Sequence, residues 1–278
     1  MSYEAEVSRS NPSAFLFLID TSGSMLDSFG GGAGRKKAEG VADAINQLLQ
    51  NLAIKCSKSE GIRDYYEVGV ISYGKDVKPA FAGKLAGKVV APVSEVANNP
   101  ARLVERAKKV EDGNGGLVEQ KVKSPVWFEP KASGKTPMCE ALRTATQTMS
   151  SWVETHPFSF PPVVINITDG ESTDGDPSSE AETLTDLSTQ DGNLLLFNCH
   201  ISSSSNPSTL FPDTPEGLPD QYAKTLYEMS SRLPESIRDA AKREGFQVSE
   251  DTRGFGFNAE LVELIRFLDI GTRPSNLR

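Results

Sequence analysis

The stretch FLFLIDTSGSM, Phe15 to Met25, constrains the fold of this chain more than any other. It opens with five consecutive apolar residues, too few for a typical helix but enough for a strand buried on both faces, as in the middle of a parallel sheet. The chain then turns at Gly23. We therefore expect Asp20, Ser22 and Ser24 at the carboxyl end of a central strand, where open α/β sheets place their ligand sites.

The side chains offered at this strand end are oxygen donors. Carboxylate and hydroxyl oxygens, without nitrogen or sulfur, suit a hard cation such as Mg²⁺ or Ca²⁺ rather than zinc. Asp-Thr-Ser-Gly-Ser is also ordinary turn chemistry, so a plain loop is the alternative interpretation of this motif taken alone. The choice depends on whether other segments supply further ligands at the same edge of the sheet.

The rest of the chain alternates apolar strands with amphipathic helices. Helical spacing of apolar residues is clearest at about 35–54 and 137–154. Further strands are predicted at 66–73, 163–167 and 194–201, and further helices at about 177–188, 219–232, 234–244 and 258–268. Residues 246–257 fit either strand or loop. The alternation predicts a Rossmann-like, doubly wound α/β fold, with a mostly parallel central sheet and helices on both faces.

Residues 75–130 interrupt that alternation. Prolines and glycines punctuate short apolar runs, which indicates an elaboration built of short strands. One helix is predicted within it, starting at the Asn99–Pro100 cap and ending near Val110. Trp127 and Phe128 are expected in the core. The cationic residues of this region form either a solvated face or a docking patch: Arg102, Arg106, Lys108, Lys109, Lys121 and Lys123.

The charge and the cysteine content of the chain exclude several classes of protein. The net charge of −9 argues against binding to nucleic acid or to an anionic membrane. The three cysteines are widely spaced and lack a C-x-x-C arrangement, so neither a disulfide framework nor a zinc site is implied. The first residues lack a secretory signal, and no apolar run approaches the ~20 residues that span a bilayer. We therefore expect a cytoplasmic location.

Two further segments extend the motif. Thr136 precedes a predicted helix, and Asp169 directly follows the strand at 163–167. In the predicted topology both meet the loop after the first strand. Together with D-x-S-x-S, they resemble the metal-ion-dependent adhesion site (MIDAS) of the von Willebrand factor type A (vWA) family. The chain looks most like stand-alone bacterial members, some of which are found beside tellurite-resistance and kinase/phosphatase signalling modules.

The resemblance implies a domain layout and a division of roles among the ligands. Residues 1–13 would be a polar arm, 14–271 a single vWA domain with the elaboration at about 75–130 and extra helices at about 219–245, and 272–278 a tail. Ser22 and Ser24 would bind Mg²⁺ through their hydroxyls, with Mn²⁺ and Ca²⁺ as alternatives. Thr136 would bind the metal directly or through water, and Asp20 and Asp169 would mostly hold metal-bound waters.

Each of these residues also has a plainer interpretation. Thr136 alone suits a helix N-cap, and Asp169 with the following glycine is a common turn. Glu171, Asp174 and Asp176 form an acidic rim, which we expect to cap the following helix and to stay solvated.

The function implied by the resemblance is a non-catalytic, metal-dependent protein interaction module. A partner's Asp or Glu would complete the coordination of the metal, in an adaptor of a bacterial signalling, stress or defence complex with a kinase/phosphatase module as a candidate partner. Two alternatives stay open. One is a Mg²⁺-dependent phosphohydrolase-like enzyme that uses Asp20, although Ser22 stands where such enzymes have a second aspartate. The other is a vWA domain with a vestigial metal site.

Overall fold

Strand β1, Ser13–Asp20, lies in the middle of an eight-stranded sheet. The computed structural model describes residues 3–29, 34–111, 117–201 and 207–272, without the side chains of 107–111 and 117–120. All eight residues of β1 are buried, as its apolar run predicts. The strand pairs in parallel with β4, Tyr66–Tyr73, on one side and with β9, Val163–Thr168, on the other.

The five central strands of the sheet are parallel. Strand β10, Leu195–Ile201, pairs with β9, and β12, Phe255–Ala259, pairs with β10, so the parallel core has the order β12-β10-β9-β1-β4. Both edges are antiparallel. Strand β11, Thr209–Leu210, lies against β12, while β5, Val77–Pro79, and β6, Val90–Pro92, lie against β4.

Helices cover both faces of this sheet. One face carries α1 (Lys37–Cys56), α2 (Val93–Asn98), α6 (Glu235–Arg243) and α7 (Leu261–Gly271). The other carries α3 (Met138–Thr155), α4 (Ser178–Thr185) and α5 (Gln221–Met229). The predicted α/β class, with a mostly parallel sheet between two layers of helices, is confirmed. Within the described parts of the chain, no helix combines the length and apolar character that a membrane span requires.

Alternate side chains of β1 enter two separate cores. Phe15 and Phe17 belong to the cluster under α1 and α7, while Leu16 and Leu18 belong to the cluster under α3 and α5. This alternation is the two-residue period of a strand whose two faces are both covered. The central strand therefore anchors both layers of the molecule.

The prediction of a helix that starts at Asn99–Pro100 is wrong. Helix α2 ends before this pair, and the chain continues as β7, Arg102–Glu111, which pairs antiparallel with β8, Leu117–Val126. Every residue of β7 pairs with one of β8, so a ladder of hydrogen bonds runs the whole length of the hairpin and outweighs the modest helix propensity of the sequence. A second, short hairpin joins β2, Ser57–Lys58, to β3, Gly61–Ile62.

The other predicted elements are present with shifted ends. Helix α4 ends at Thr185 rather than near Ser188. Strand β12 occupies the end of the ambiguous segment, and it includes Asn258, so α7 starts three residues later than predicted. The cationic side chains at positions 108 and 109 and the tail beyond residue 272 lie outside the described residues.

The polar arm at the N-terminus is hydrogen-bonded to the loop before β10. The Tyr3 amide donates to the Asp191 carbonyl (3.1 Å), and the Glu4 and Ala5 amides donate to the two oxygens of the Asp191 carboxylate (2.9 and 3.0 Å). The division into arm, domain and tail stays a prediction.

Asn46 of α1 holds the end of the elaborated segment against the core. Its Oδ1 accepts hydrogen bonds from the amides of Trp127 (2.8 Å) and Phe128 (3.0 Å), and its Nδ2 donates to the Phe128 carbonyl (2.8 Å). Both aromatic side chains are buried, as predicted. One amide side chain thus satisfies three backbone groups that the core would otherwise bury unpaired.

We expect Asn46→Ala to lower the free energy of unfolding by about 2–4 kcal/mol, because buried backbone groups then lose their partners. Urea denaturation measures this change. The matched control is Gln47→Ala, one residue along the same helix and exposed to solvent. Equal stabilities of the two variants would contradict the role assigned to Asn46.

Candidate metal centre

The predicted metal residues lie where neighbouring strands send their helices to opposite faces of the sheet. Asp20 ends β1, and Asp169 directly follows β9. The chain leaves β1 for α1 on one face and leaves β9 for α4 on the other. This divergence opens a crevice at the carboxyl edge of the sheet, the usual ligand site of such folds.

Ser22 and Ser24 flank the start of a short 3-10 helix, Gly23–Leu26, that follows β1. The tight turn brings their Oγ atoms to 3.0 Å from one another. Ser24 Oγ also donates a hydrogen bond to Asp169 Oδ1 (2.7 Å), across 145 positions of sequence. Two of the predicted segments therefore meet through their side chains.

Asp20 lies deeper, with no solvent-exposed surface. Its Oδ1 accepts a hydrogen bond from the Ser22 amide (2.7 Å), and its Oδ2 accepts one from Thr168 Oγ1 (2.8 Å). Burial, with a smaller contribution from the charge of Asp169, raises the pKa of Asp20 to about 6 against the lowering effect of these hydrogen bonds. Nearby positive charge would relieve this unfavourable ionisation.

Thr136 precedes α3 and faces the turn after Asp169. Its amide donates to Thr173 Oγ1 (3.0 Å), and its carbonyl accepts from the Thr173 amide (2.9 Å). A Cβ atom added at Gly170 would lie 3.7 Å from Thr136 Oγ1, so the hydroxyl is directed toward that turn. The N-cap of α3 is Pro137 and not Thr136, so the alternative interpretation of Thr136 as a helix N-cap is wrong.

Backbone hydrogen bonds tie the first loop to the Thr136 loop. The Gly23 amide donates to the Gly134 carbonyl (3.1 Å), and the Ser133 amide donates to the Thr21 carbonyl (2.6 Å). Gly134 has φ of +91°, and a Cβ there would lie 2.4 Å from the Lys75 amide nitrogen. Only glycine fits this contact, so the glycine before Thr136 is needed for the loops to meet.

Lys37 is a charged member of the site that the sequence analysis missed. Its Nζ lies 2.6 Å from Asp169 Oδ2, and the side chains of the pair are 1% and 0% exposed. A signal was present in the sequence. The buried stripe of α1 includes Val41 and Ile45, and the same spacing extended back by one turn falls on Lys37.

The acidic rim is arranged differently from the prediction. Asp174 accepts hydrogen bonds from the amides of Cys139 (3.1 Å) and Glu140 (2.9 Å), so it caps the preceding helix α3 and not the following one. Asp176 accepts from the first amide of α4 (3.0 Å), as expected. Glu171 is exposed beside the site. The prediction for Asp174 failed because α3 and the segment after β9 converge only in the folded chain.

The 3.0 Å hydrogen bond between Ser22 Oγ and Ser24 Oγ has the same length as the spacing of neighbouring ligands around a small, six-coordinate cation. Neighbouring oxygens around Mg²⁺ are about 3.0 Å apart when each lies at ~2.1 Å, and Ser22 Oγ and Ser24 Oγ have that separation. Asp20 and Asp169 lie behind these hydroxyls, and Thr136 faces the same turn. Among the residues the structure describes, no group of three or more His, Cys, Asp or Glu side chains is placed to hold a metal.

No protein-family model matches the chain, and no curated protein sequence matches it. Among solved structures, it is similar to a von Willebrand factor type A protein from Catenulispora acidiphila, at 13% identity and a TM-score of 0.49, over 95% of this chain and 43% of that one.

Two pilus proteins are also similar over 58% of this chain. One is the vWF domain of the type V pili tip protein Mfa5 from Porphyromonas gingivalis, at 12% identity, a TM-score of 0.34 and 39% of that chain. The other is the PilB minor pilin from Streptococcus sanguinis, at 15% identity, a TM-score of 0.32 and 30% of that chain. The present chain spans less than half the length of each of these three structures.

We expect Asp20→Asn to stabilise the metal-free protein at pH 7. The folded-state pKa of about 6 lies above the usual 3.8, so ionisation costs folded-state stability as the pH rises between these values, and the loss is complete at pH 7. In EDTA, the amide should therefore raise the free energy of unfolding by about 1–3 kcal/mol at pH 7. Below about pH 3 the gain should vanish, because both states of the wild type are then protonated.

Urea denaturation in EDTA across this pH range tests the expectation. Asp27→Asn, which neutralises an exposed carboxyl in the same loop, is the control and should change stability little at either pH. If Asp20→Asn destabilises the metal-free protein at pH 7, the buried charge of Asp20 does not lower the stability of the folded state, and the expectation is wrong.

Proposed function

We propose that this chain is a vWA-type domain that binds Mg²⁺ at the crevice and uses the ion to bind a carboxylate of a protein partner. The observation that carries the proposal is the 3.0 Å approach of Ser22 Oγ to Ser24 Oγ, with Ser24 Oγ also bonded to Asp169. Asp20, Thr136 and Asp169 complete the ligand set. Mn²⁺ and Ca²⁺ are alternative occupants of the same oxygens.

The chemistry of the ligands favours recognition of an anion. Hydroxyls are neutral, so a cation bound mainly by Ser22 and Ser24 keeps charge available for an Asp or Glu side chain from outside. Asp20 and Asp169 are buried behind the hydroxyls. Ser24 is exposed, so the accessible side of the site is the side that the hydroxyls line.

The residues around the opening of the site suit contact with a protein partner. Leu26, in the same turn as Ser24, is 53% exposed, and the side chains of Lys135 and Glu171 are exposed at the two neighbouring loops. An apolar residue beside charged residues of both signs offers packing and steering around a central carboxylate.

Partner binding at this site would change the position of the Thr136 loop. That loop is joined to the first loop through Gly23 and Ser133 and to the third through Thr173. A ligand that prefers one position of the loop shifts the loop toward it, by no more than its difference in affinity for the two positions. We include this coupling in the proposal.

The biological setting is proposed from the resemblance alone. A role as an adaptor in a bacterial signalling, stress or defence complex, with a kinase/phosphatase module as partner and a cytoplasmic location, fits the stand-alone members that the motif resembles. We propose neither a nucleic acid nor a membrane as partner, because the chain carries a net charge of −9.

The phosphohydrolase alternative gains no support from the position of Asp20. Both of its carboxylate oxygens accept hydrogen bonds from within the protein, and its side chain is buried. A nucleophile must instead reach the incoming phosphate. A phosphatase assay with Mg²⁺, comparing the wild type with Asp20→Asn, tests this alternative, and turnover that depends on Asp20 would replace our proposal.

We expect Ser22→Ala to weaken Mg²⁺ binding by at least the roughly ten- to hundred-fold that is lost when a residue orienting a metal ligand is removed, because it removes an oxygen of the innermost ligand set. Isothermal titration calorimetry with MgCl₂ measures the affinity. The matched control is Ser28→Ala, whose hydroxyl lies in the same loop but donates to the Gly34 carbonyl (3.0 Å). Absence of binding to the wild type would leave the vestigial-site interpretation in place.

The partner carboxylate has a separate test. Arrays of synthetic peptides that each carry a single Asp or Glu, probed with the protein in Mg²⁺ and in EDTA, should retain it only with the metal. Replacing the acidic residue of a bound peptide by its amide should abolish retention, because a neutral amide does not complete the coordination. Retention that is equal in EDTA, or that survives every such replacement, would refute the metal bridge.

A further inference from the structure

The Lys37 side chain contacts Asp169, one of the predicted metal-site residues, from the interior of the protein. It leaves the first turn of α1, and Nζ ends 2.6 Å from Asp169 Oδ2 with 1% of the side chain exposed. The other oxygen of Asp169 accepts the hydrogen bond from Ser24. One carboxylate thus contacts a buried ammonium on one side and a predicted metal ligand on the other.

This arrangement lowers the net negative charge around a metal bound at the site. Asp20 and Asp169 supply two buried negative charges, and Lys37 supplies one positive charge at Asp169. Burial of an ammonium is costly unless it is paired, so the position of Lys37 is stable only beside this carboxylate. A divalent ion held in front of Asp169 would share that carboxylate with the ammonium and be repelled by it.

We propose that Lys37 is a built-in counter-cation that keeps the centre folded without metal and lowers its affinity for divalent ions. The inference rests on the proposed metal site and adds its regulation. With one carboxylate already neutralised, the metal alone is held weakly, and the negative charge of a partner's Asp or Glu makes up the deficit. Metal and partner would therefore each strengthen the binding of the other.

The test compares two neighbouring lysines of the same helix start. Lys37→Met removes the buried ammonium and keeps an unbranched apolar chain, whereas Lys36→Met removes an exposed charge and changes the net charge equally. Titration calorimetry with MgCl₂ should show affinity increased on the order of ten-fold or more in Lys37→Met, because the repulsion is gone. Lys36→Met should match the wild type.

The outcomes separate this inference from the proposed function. If the wild type binds Mg²⁺ and Lys37→Met binds it no more tightly than Lys36→Met does, the counter-cation role is refuted and the metal site stands. If neither the wild type nor either variant binds Mg²⁺, Mn²⁺ or Ca²⁺, the proposed function fails and the inference falls with it.

Stability without metal gives a second readout. In EDTA, Lys37→Met should unfold at a lower urea concentration than Lys36→Met, because Asp169 is left buried without a counter-charge. The double variant Lys37→Met/Asp169→Asn should recover most of the lost midpoint, since it replaces the ion pair by two neutral groups. If it recovers none, Lys37 acts through packing alone and the inference is overturned. This readout applies even where Lys37→Met folds poorly.

Discussion

Strand β1 is hydrogen-bonded on both edges and covered on both faces, and every other part of the centre depends on this confinement. Parallel neighbours hold it in register with Tyr73 on one side and with the end of β9 on the other. Its last residue, Asp20, therefore has no freedom to move toward solvent. The turn that follows bonds the Ser22 amide to Asp20 Oδ1 and continues through Ser24 in a short 3-10 helix.

A chain of buried polar side chains runs beneath this edge and fixes the neighbouring elements relative to one another. Tyr73 donates to Asn166 (2.6 Å), Asn166 donates to Asn198 (3.0 Å), and Asn198 donates to Ser230 (3.0 Å) at the end of α5. These bonds cross β4, β9 and β10. In a core of this kind each unmade bond costs stability, so the network favours one register and one position of α5. The same helix carries Tyr222, whose hydroxyl bonds the Gly170 carbonyl beside Asp169.

The centre holds more negative charge than its surroundings neutralise. Asp20 is ionised at pH 7 only against the cost of its burial, which raises its pKa, while Asp169 has Lys37 as an internal counter-charge. The two carboxylates are thus unequal: one is balanced within the chain and the other is balanced only by hydrogen bonds. An added cation would offset that remaining charge, and this inequality is the physical basis of the metal binding that we propose.

The sequence by itself determined the central strand, the α/β class and the motif residues at the strand ends, because hydrophobic runs and helical periods are local properties of the chain. It predicted that Asp20, Ser22, Ser24, Thr136 and Asp169 would converge, and the structure brings them to one edge of the sheet, although their role as ligands stays a prediction. Only the tertiary structure decided which distant groups meet. Asp174 caps α3, residues 102–111 form a strand with β8 instead of a helix, and Lys37 joins Asp169 across 132 positions. In each case the partner residue lies far along the chain, so the local sequence pattern does not reveal which contact forms.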